Sequence, residues 1–594
     1  MNFSELININ PILSSFFGLS VLVINYFFAY TVSTKLKLIN NTKLNFVFFN
    51  TSFYFLISSI LLFLILFKIE IIVIRYLFYL IFLTQIIFLF LNYKNIFKNN
   101  PNFFNKLDYF FLLILFLYTF SQVSDADSLD YHLGGVLEII RSNNFESRID
   151  DWYFFRLIGL GEMINLYGLF FYSLNFGQIF QVLVISNLLL ILGLFNKDKI
   201  INYLIILSSP ILISLMLSAK HMPLITNCYL IIFSLIILKI KFLPKTFLAI
   251  LILIIAPIGF KYTYLIYSLP LWFLFIIYYK NEINIKKIIL FSIVIFIFIP
   301  GSFYLKNFIH YGDPITPFFE FLKISPDKDL IFFASNIRHG SPVGKVFEFY
   351  EFPIIPIIHI IPTSLGGVTL LVSPIIIVCY FIFFKEKNNL LFYFFIIIFI
   401  LLFFSEKTSS RFFLDLYLMG VLLFLNNINY YRDKIYYKYI ILSLYPYAIL
   451  GIGMILYSIS TLSFSILNKE NFKKTMNEKA NNYEIIQWIN SKTSSSDIVM
   501  FDMSSSSIRS KTHQKNKIYF YSMNNKSLKE LRKIIKDNKV SKIVLHEGAY
   551  KNNYEQFYKC KKIDSHQLKH ATRNPINSSK SIANIYLIDA RCLL

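Results

Sequence analysis

The sequence predicts a polytopic α-helical membrane protein with a small α/β domain at its C-terminal end. Three observations carry that expectation. Of 594 residues, 56% are hydrophobic, and the mean hydropathy is +0.59, outside the range of soluble globular chains. Apolar runs recur at a length that crosses a hydrocarbon core of roughly 30 Å. Backbone groups in lipid must bond internally, so such runs read as helices. The third observation is a change of character near residue 470, after which the chain is polar and alternates helical with strand patterns.

About fourteen spans are expected from run length. They fall at 11–32, 45–67, 71–92, 107–122, 178–195, 200–218, 222–239, 246–259, 262–279, 288–303, 367–384, 390–404, 412–426 and 437–457. The N-terminal "MNFSELININP" has no Lys or Arg, and the apolar segment after it is too long for a signal-peptide core. It reads as a retained span.

Charge placement gives the orientation. Every second loop is basic: Lys35, Lys37 and Lys43; Lys94, Lys98 and Lys106; Lys197 and Lys199; Lys239, Lys241 and Lys245; Lys280, Lys286 and Lys287; Lys385 and Lys387; Arg432, Lys434 and Lys438. The positive-inside rule makes these loops cytoplasmic and both termini extracytoplasmic. The net charge of +23 is then an orientation signal, and nucleic acid is not the expected partner. A multi-pass protein of a bacterial cytoplasmic membrane fits this pattern.

Three regions follow: N-terminal transmembrane helices 1–106, a core 107–460 with large outer loops 123–177 and 304–366, and a C-terminal extracytoplasmic domain 470–594. In the first outer loop, Ser128–Ser142 has helical apolar spacing, and "LIGLGEMINLYGLFF" at Leu157–Phe171 reads as a second interfacial helix. In the C-terminal domain "NNYEIIQWINSK" and "NKSLKELRKIIKDN" read as helices, and "SDIVMFDM" and "VSKIVLHE" as strands. Cys560 and Cys592 both fall there and pair in an oxidising compartment; otherwise they are free thiols.

Acids gather at one place, "SQVSDADSLDYHLGG" after the fourth span. A helix cap needs one acid. Asp125, Asp127 and Asp130 with Tyr131 and His132 exceed that need. A carboxylate at a lipid–water boundary is a candidate base. Basic residues that break the orientation pattern lie at outer helix ends: Lys220, Lys261, Lys306 and Arg411. Each alone reads as a contact to a membrane lipid headgroup. Together they suggest a site for an anion such as phosphate. Glu162, His221, Asn307 and Tyr262 are further candidates for holding substrate. An acid that deprotonates an acceptor hydroxyl, with cations that stabilise a departing phosphate, suggests glycosyl transfer from a polyprenyl-phosphate sugar.

At these residues the chain resembles the integral-membrane glycosyltransferases of the GT-C fold, which include protein O-mannosyltransferases and the lipid A aminoarabinose transferase. Asp127-Ser128-Leu129-Asp130-Tyr131-His132-Leu133 is similar to a pattern in their first outer loop. "LKNFIHYGDPITPFF" is similar to a second, filled by Lys306, Asn307, Gly312, Pro314 and Pro317, with Asp313 where the family has Asn. "SSRFFLDLYL" resembles the stretch that opens a late span. The resemblance covers roughly residues 107–426. It implies an inverting transferase that moves a sugar to a glycan, lipid or protein acceptor, with Asp127 as base and Asp125 as its rival. It implies no required cofactor. A divalent cation, Mg or Mn, held by Asp125, Asp127 or His132 stays open, because relatives differ in this.

Two competing classes remain. A polymerase or ligase of lipid-linked polysaccharide would also use large outer loops and basic clamps. A lipid or glycan transporter would show repeats and charges at mid-membrane. The pair His566 and His570 has a zinc-like spacing without a third ligand, and chance explains it.

Overall fold

The computed structural model describes residues 9–94, 103–125, 127–143, 153–240, 245–279, 284–316, 414–431, 435–480, 483–501, 528–546, 562–570 and 581–594, with a few single positions between them. Expectations that fall on 367–384, on Pro317 and on Arg411 lie outside the described residues, as does nearly all of 390–404.

The chain is mostly helical. Among the described residues, five helices are long and apolar enough to cross a membrane, or seven if each of two bent pairs counts as one span. Helices α1 (Pro11–Lys35), α2 (Thr42–Leu66), α3 (Ile71–Leu91) and α4 (Lys106–Thr119) follow in order. Asn10, Asn41 and Asn105 cap α1, α2 and α4 by accepting an amide N–H. Beyond a π turn (Ser128–His132) come α5 (Gly134–Ser142), α6 (Leu160–Phe170) and α7 (Phe176–Phe195). The next elements are α8 (Lys199–Leu207), α9 (Pro210–Met216), α10 (Met222–Ile237) and α11 (Thr246–Ile255). Then α12 (Leu265–Tyr279), α13 (Ile285–Phe298), α14 (Gly301–Tyr311), α15 (Leu414–Tyr431) and α16 (Ile435–Ser458) follow among the described residues.

Two expected spans are broken. The run 200–218 is α8 and α9, bent by 77° at Ser208-Ser209-Pro210. Pro210 cannot donate to the preceding turn, and it opens α9 instead. The run 288–303 bends by 55° at Pro300-Gly301 and continues to Tyr311.

The second candidate interfacial helix differs from expectation as well. Every residue of α6 is buried. It packs against α2, α5 and α7 and has no wet face. Its polar residues find partners inside: Tyr167 bonds Asn25, whose amide also reaches Tyr54 on α2. A helix read as amphipathic is thus fully enclosed, because its polar side chains are satisfied by protein. Entry into α6 needs close backbone approach. A Cβ on Gly159 would lie 2.5 Å from the carbonyl oxygen of Gly259.

Helices at the edge show apolar side chains outward. Tyr76, Leu80 and Phe90 on α3, and Leu290, Ile293 and Ile297 on α13, are exposed. Centrally placed α7 has 83% of its apolar window buried, against 28% for α3. Exposed aliphatic belts around a buried centre suit a hydrocarbon surround. Residues on both sides of position 106 share one apolar core.

The loops separate into two ends. At one end Asp108 closes a capping box with Asn105 and accepts from Lys199 Nζ at 2.9 Å and Tyr203 Oη at 2.6 Å. Thr246 Oγ1 donates to Leu38 O at 2.6 Å there. Lys43 and Lys199 lie at this end. At the other end Asn143 Oδ1 accepts from Ile71 N at 3.1 Å, and Ser14 donates to Asn175 at 2.9 Å. This end collects the acidic stretch. Ser463, just past α16, donates to Leu117 O at 2.8 Å near the end of α4, so the C-terminal part leaves from the acidic end.

The C-terminal part is an α/β sandwich. Its five-stranded sheet has the order β2-β1-β3-β5-β4. Strands β1 (Val499–Phe501), β2 (Tyr519–Phe520) and β3 (Lys542–His546) are parallel, and β4 (Lys562–His570) and β5 (Ser581–Asp589) are antiparallel additions. The helix Tyr483–Lys492 covers one face through Ile485, Ile486 and Ile489; Leu528–Asp537 covers the other through Leu531 and Ile535. Cys560 and Cys592 form a disulfide. His566 and His570 lie on a strand, and the His566 ring stacks on Trp488 at 5.5 Å.

Gly159→Ala should lower the melting temperature by several degrees, because the neighbour is backbone and cannot yield; over-packing of this kind costs about 1–3 kcal/mol. Gly453→Ala, where nothing lies within 4 Å, should leave it unchanged or slightly raised. Thermal unfolding of the purified protein in detergent reads both.

Candidate active site at the acidic end

The site begins with how the chain turns after α4. Asp125 Oδ2 accepts from Ser128 N at 3.0 Å and also from the Ser128 hydroxyl. Asp125, and not Asp127, therefore caps the π turn; Asp127 makes no side-chain cap. Ser128 Oγ then accepts from Ala219 N at 2.9 Å, which brings the segment before α10 alongside.

That segment carries Lys220. Its Nζ lies 3.0 Å from Asp127 Oδ2 and 3.3 Å from Asp125 Oδ1. The ammonium is nearly enclosed, while both carboxylates are about one third exposed. The Lys220 backbone is held as well, since Gln181 Nε2 donates to its carbonyl at 2.6 Å.

One turn on, His132 Nδ1 meets Glu162 Oε1 at 2.6 Å, both side chains 3% exposed. The other Glu162 oxygen accepts from Gly159 N at 2.7 Å and so caps α6. Asn165, three residues along the same helix, donates to His132 O and Ala219 O at 3.1 Å each, and its Oδ1 faces His221 Nε2 at 3.0 Å. Gly177 permits this, because a Cβ there would lie 2.4 Å from Asn165 Oδ1.

Burial pushes the His132 imidazole below its ordinary 6.5, against the pull of Glu162. Burial alone would raise Glu162, but the hydrogen bond and charge of His132 and the Gly159 N–H hold it below 4.5. Burial lowers His221 to about 3.

Lys261 Nζ lies 5.7 Å from the Tyr131 ring, which packs on His132 with centroids 4.0 Å apart. Its charge is felt by both His132 and Glu162. Asp130 sits half-buried in the π turn. Lys306 is fully buried and donates to Arg156 O at 2.9 Å and Ile158 O at 2.5 Å, pinning the segment that leads into α6. Asn307 donates to the Tyr262 hydroxyl and, at 3.4 Å, to Pro314 O. Gly312 ends α14 at φ +68°, and Asp313 Oδ1 accepts from Ile315 N at 2.8 Å. The stretch from Lys306 to Pro314 is thus a helix stop and an Asx turn beside the site.

Lys220, Asp125, Asp127, His132, Glu162 and His221 come together through Ser128, Ala219 and Asn165. Lys306, Asn307 and Tyr262 form a neighbouring cluster. Sequence reasoning missed Asn165, although "GEMIN" puts it three residues after Glu162 on one helix face. It also missed Asp415, which is buried and accepts from Thr226 at 2.5 Å.

Asp125 and Asp127 already share an ammonium, and Glu162 engages His132 Nδ1. Among the described residues no group of three His, Cys, Asp or Glu side chains could hold a metal.

No protein-family model matches this chain, and no curated protein matches it.

The pH dependence of stability has a definite sign. The unfolded chain protonates His132 near 6.5 and Glu162 near 4.5, the folded chain only at lower pH. Both groups therefore stabilise the fold at higher pH and lose that contribution as pH falls, first through His132 below 6.5, where His221, lowered to about 3, acts in the same sense. Melting temperature should drop on acidification from pH 7 to 5, and His132→Gln should flatten that slope. An unchanged slope would contradict the assignment.

Proposed function

We propose that this protein is a membrane glycosyltransferase of GT-C type. It moves a sugar from a polyprenyl-phosphate donor to a glycan, lipid or protein acceptor on the extracytoplasmic face of a bacterial cytoplasmic membrane. One observation carries the reading. A buried lysine shares two carboxylates beside a carboxylate–imidazole pair, at the end of an apolar helical core that collects the non-basic loops.

The chemistry follows from the groups. Polyprenyl phosphate, a phosphomonoester, leaves the donor diester without needing a proton, so the departing group requires positive charge and no acid. Lys220 and Lys261 supply that charge, with Arg411 as a further candidate. Lys306 supports the wall of the site through the carbonyls of Arg156 and Ile158. The acceptor hydroxyl must lose a proton as its oxygen attacks, and Asp127 is the acid the sequence marks for that region. Asp130, Tyr131, His221, Asn307 and Tyr262 are the groups offered to the sugar and the acceptor.

The topology belongs to the same reading. Some fourteen spans, basic loops in the cytoplasm and both termini outside would put the acidic end and the disulfide domain in an oxidising compartment. The disulfide Cys560–Cys592 supports that side for the C-terminal domain.

Two experiments test this. Membranes that carry the protein are incubated with a panel of polyprenyl-phosphate hexoses and pentoses. Transfer should appear with one donor and fall about 100-fold or more in Asp127→Asn, the usual scale for a group acting on the reacting atoms. Full turnover in that variant would remove Asp127 from the site. Separately, a cysteine in place of exposed Glu70 should react with an impermeant maleimide in intact cells, and one in place of exposed Asn40 only after permeabilisation. The reverse pattern would invert the orientation.

A further inference from the structure

Helix α3 carries one charged residue, Arg75, on an otherwise apolar span. It lies about 6 Å inside the helix start, at the end where Ile71 meets Asn143. Val73, Tyr76, Leu77 and Leu80 around it are exposed, as suits a surface facing hydrocarbon. Arg75 itself is 6% exposed. A charge in such a place is costly, and chains keep one where it has a partner or a task.

Part of its setting is structural. Arg75 Nε donates to Phe170 O at 3.0 Å and to Tyr79 Oη at 2.7 Å, and Tyr79 Oη donates to the same carbonyl at 2.7 Å. Phe170 ends α6, so the arginine caps that C-terminus, where a cation is favoured. The rings of Tyr79 and Tyr172 pack on the guanidinium, with centroids 5.0 and 4.4 Å from Cζ. Tyr172 does so at φ +59°, a left-handed conformation that bulky residues rarely adopt.

A cap needs only Nε. The two Nη atoms bond no protein group among the described residues and reach the surface. The acids of this end are engaged elsewhere: Asp125 and Asp127 with Lys220, Glu138 with Arg141, Glu162 with His132. No carboxylate among the described residues pairs with Arg75. The guanidinium is thus packed by two rings and tied at Nε, with a two-nitrogen edge left over. That edge matches two oxygens of a phosphate. The balancing anion must come from outside the chain, and a bilayer offers phosphate groups at this depth.

We propose that Arg75 binds the phosphate of a membrane lipid in the leaflet at the acidic end, through its two Nη atoms, with the lipid tails along the exposed face of α3. The ligand is a phosphate ester on an apolar tail, a chemistry that phospholipids and polyprenyl phosphate share. The site is separate from the Lys220 cluster and does not depend on the transferase reading. Its lipid braces the end of α6, the helix that carries Glu162 and Asn165.

Full-length protein, stripped of lipid in detergent, is titrated with dioleoyl phosphatidylglycerol, with polyprenyl phosphate and with dioleoylglycerol. The last has the tails of the first and no phosphate. Native mass spectrometry reads binding, and thermal unfolding reads stabilisation. Wild type should bind at least one phosphate lipid and melt higher with it, and dioleoylglycerol should do neither; the tighter of the two phosphate lipids identifies the source. Arg75→Gln, which can still donate to Phe170 O, should weaken that binding about tenfold or more. Arg75→Lys, which keeps the charge and loses the fork, should fall between. Tyr172→Gly removes one ring and relieves the positive φ, so it should weaken binding about threefold without lowering the lipid-free melting temperature. If Arg75→Gln does not fold, Tyr172→Gly decides. Unchanged affinity in the deciding variant, or equal binding of dioleoylglycerol, overturns the proposal. The transferase reading is judged by turnover and survives that result.

Discussion

Two carboxylates, Asp125 and Asp127, sit within reach of the same ammonium, and without Lys220 they would repel each other at the edge of an apolar bundle. The lysine comes from a different part of the chain, the short segment between α9 and α10. Its position depends on Ser128 accepting from Ala219 N and on Gln181 holding its carbonyl. One ion-pair cluster therefore fixes where the first large loop meets the middle of the helical core. Because the lysine side chain is nearly enclosed, the attraction is screened less than at an open surface.

A second device stiffens the same region. Glu162 uses one oxygen for His132 and the other for the first turn of α6. Asn165 then ties the π turn to the Lys220 segment through two carbonyls. Loop, helix and inter-helix segment thus share hydrogen bonds within a few residues. Such a polar network in an apolar setting holds its members in fixed positions. The opposite end has its own lock in Asp108, Lys199 and Tyr203, so α4 is anchored at both poles.

Much of this was legible in the sequence, for identifiable reasons. Helix bounds followed run length closely: 71–92 became Ile71–Leu91 and 178–195 became Phe176–Phe195. Breaks inside spans were harder, because Pro210 and Pro300 signal a bend but not its size, and Pro270 and Pro446 sit inside continuous helices. The interfacial reading of Leu157–Phe171 failed because periodicity cannot tell a wet polar face from one whose polar groups are met by protein. At the site, the acid cluster and its stray lysines were visible as departures from the surrounding pattern. The link through Asn165 was not, since an asparagine carries no charge to notice. Lys306 looked like an anion ligand by position, yet its ammonium is bonded to two carbonyls, a partner that no sequence displays.

If the protein transfers a phosphate-linked sugar as proposed, Lys220 and Asp127 act in that transfer as one unit. A double-mutant cycle on turnover measures that directly, with Lys220→Met, Asp127→Asn and the pair combined. Groups that share one task give strongly non-additive losses, so the double variant should be no slower than the worse single one. Losses that multiply would contradict the account, as would a Lys220→Met protein that turns over as fast as wild type.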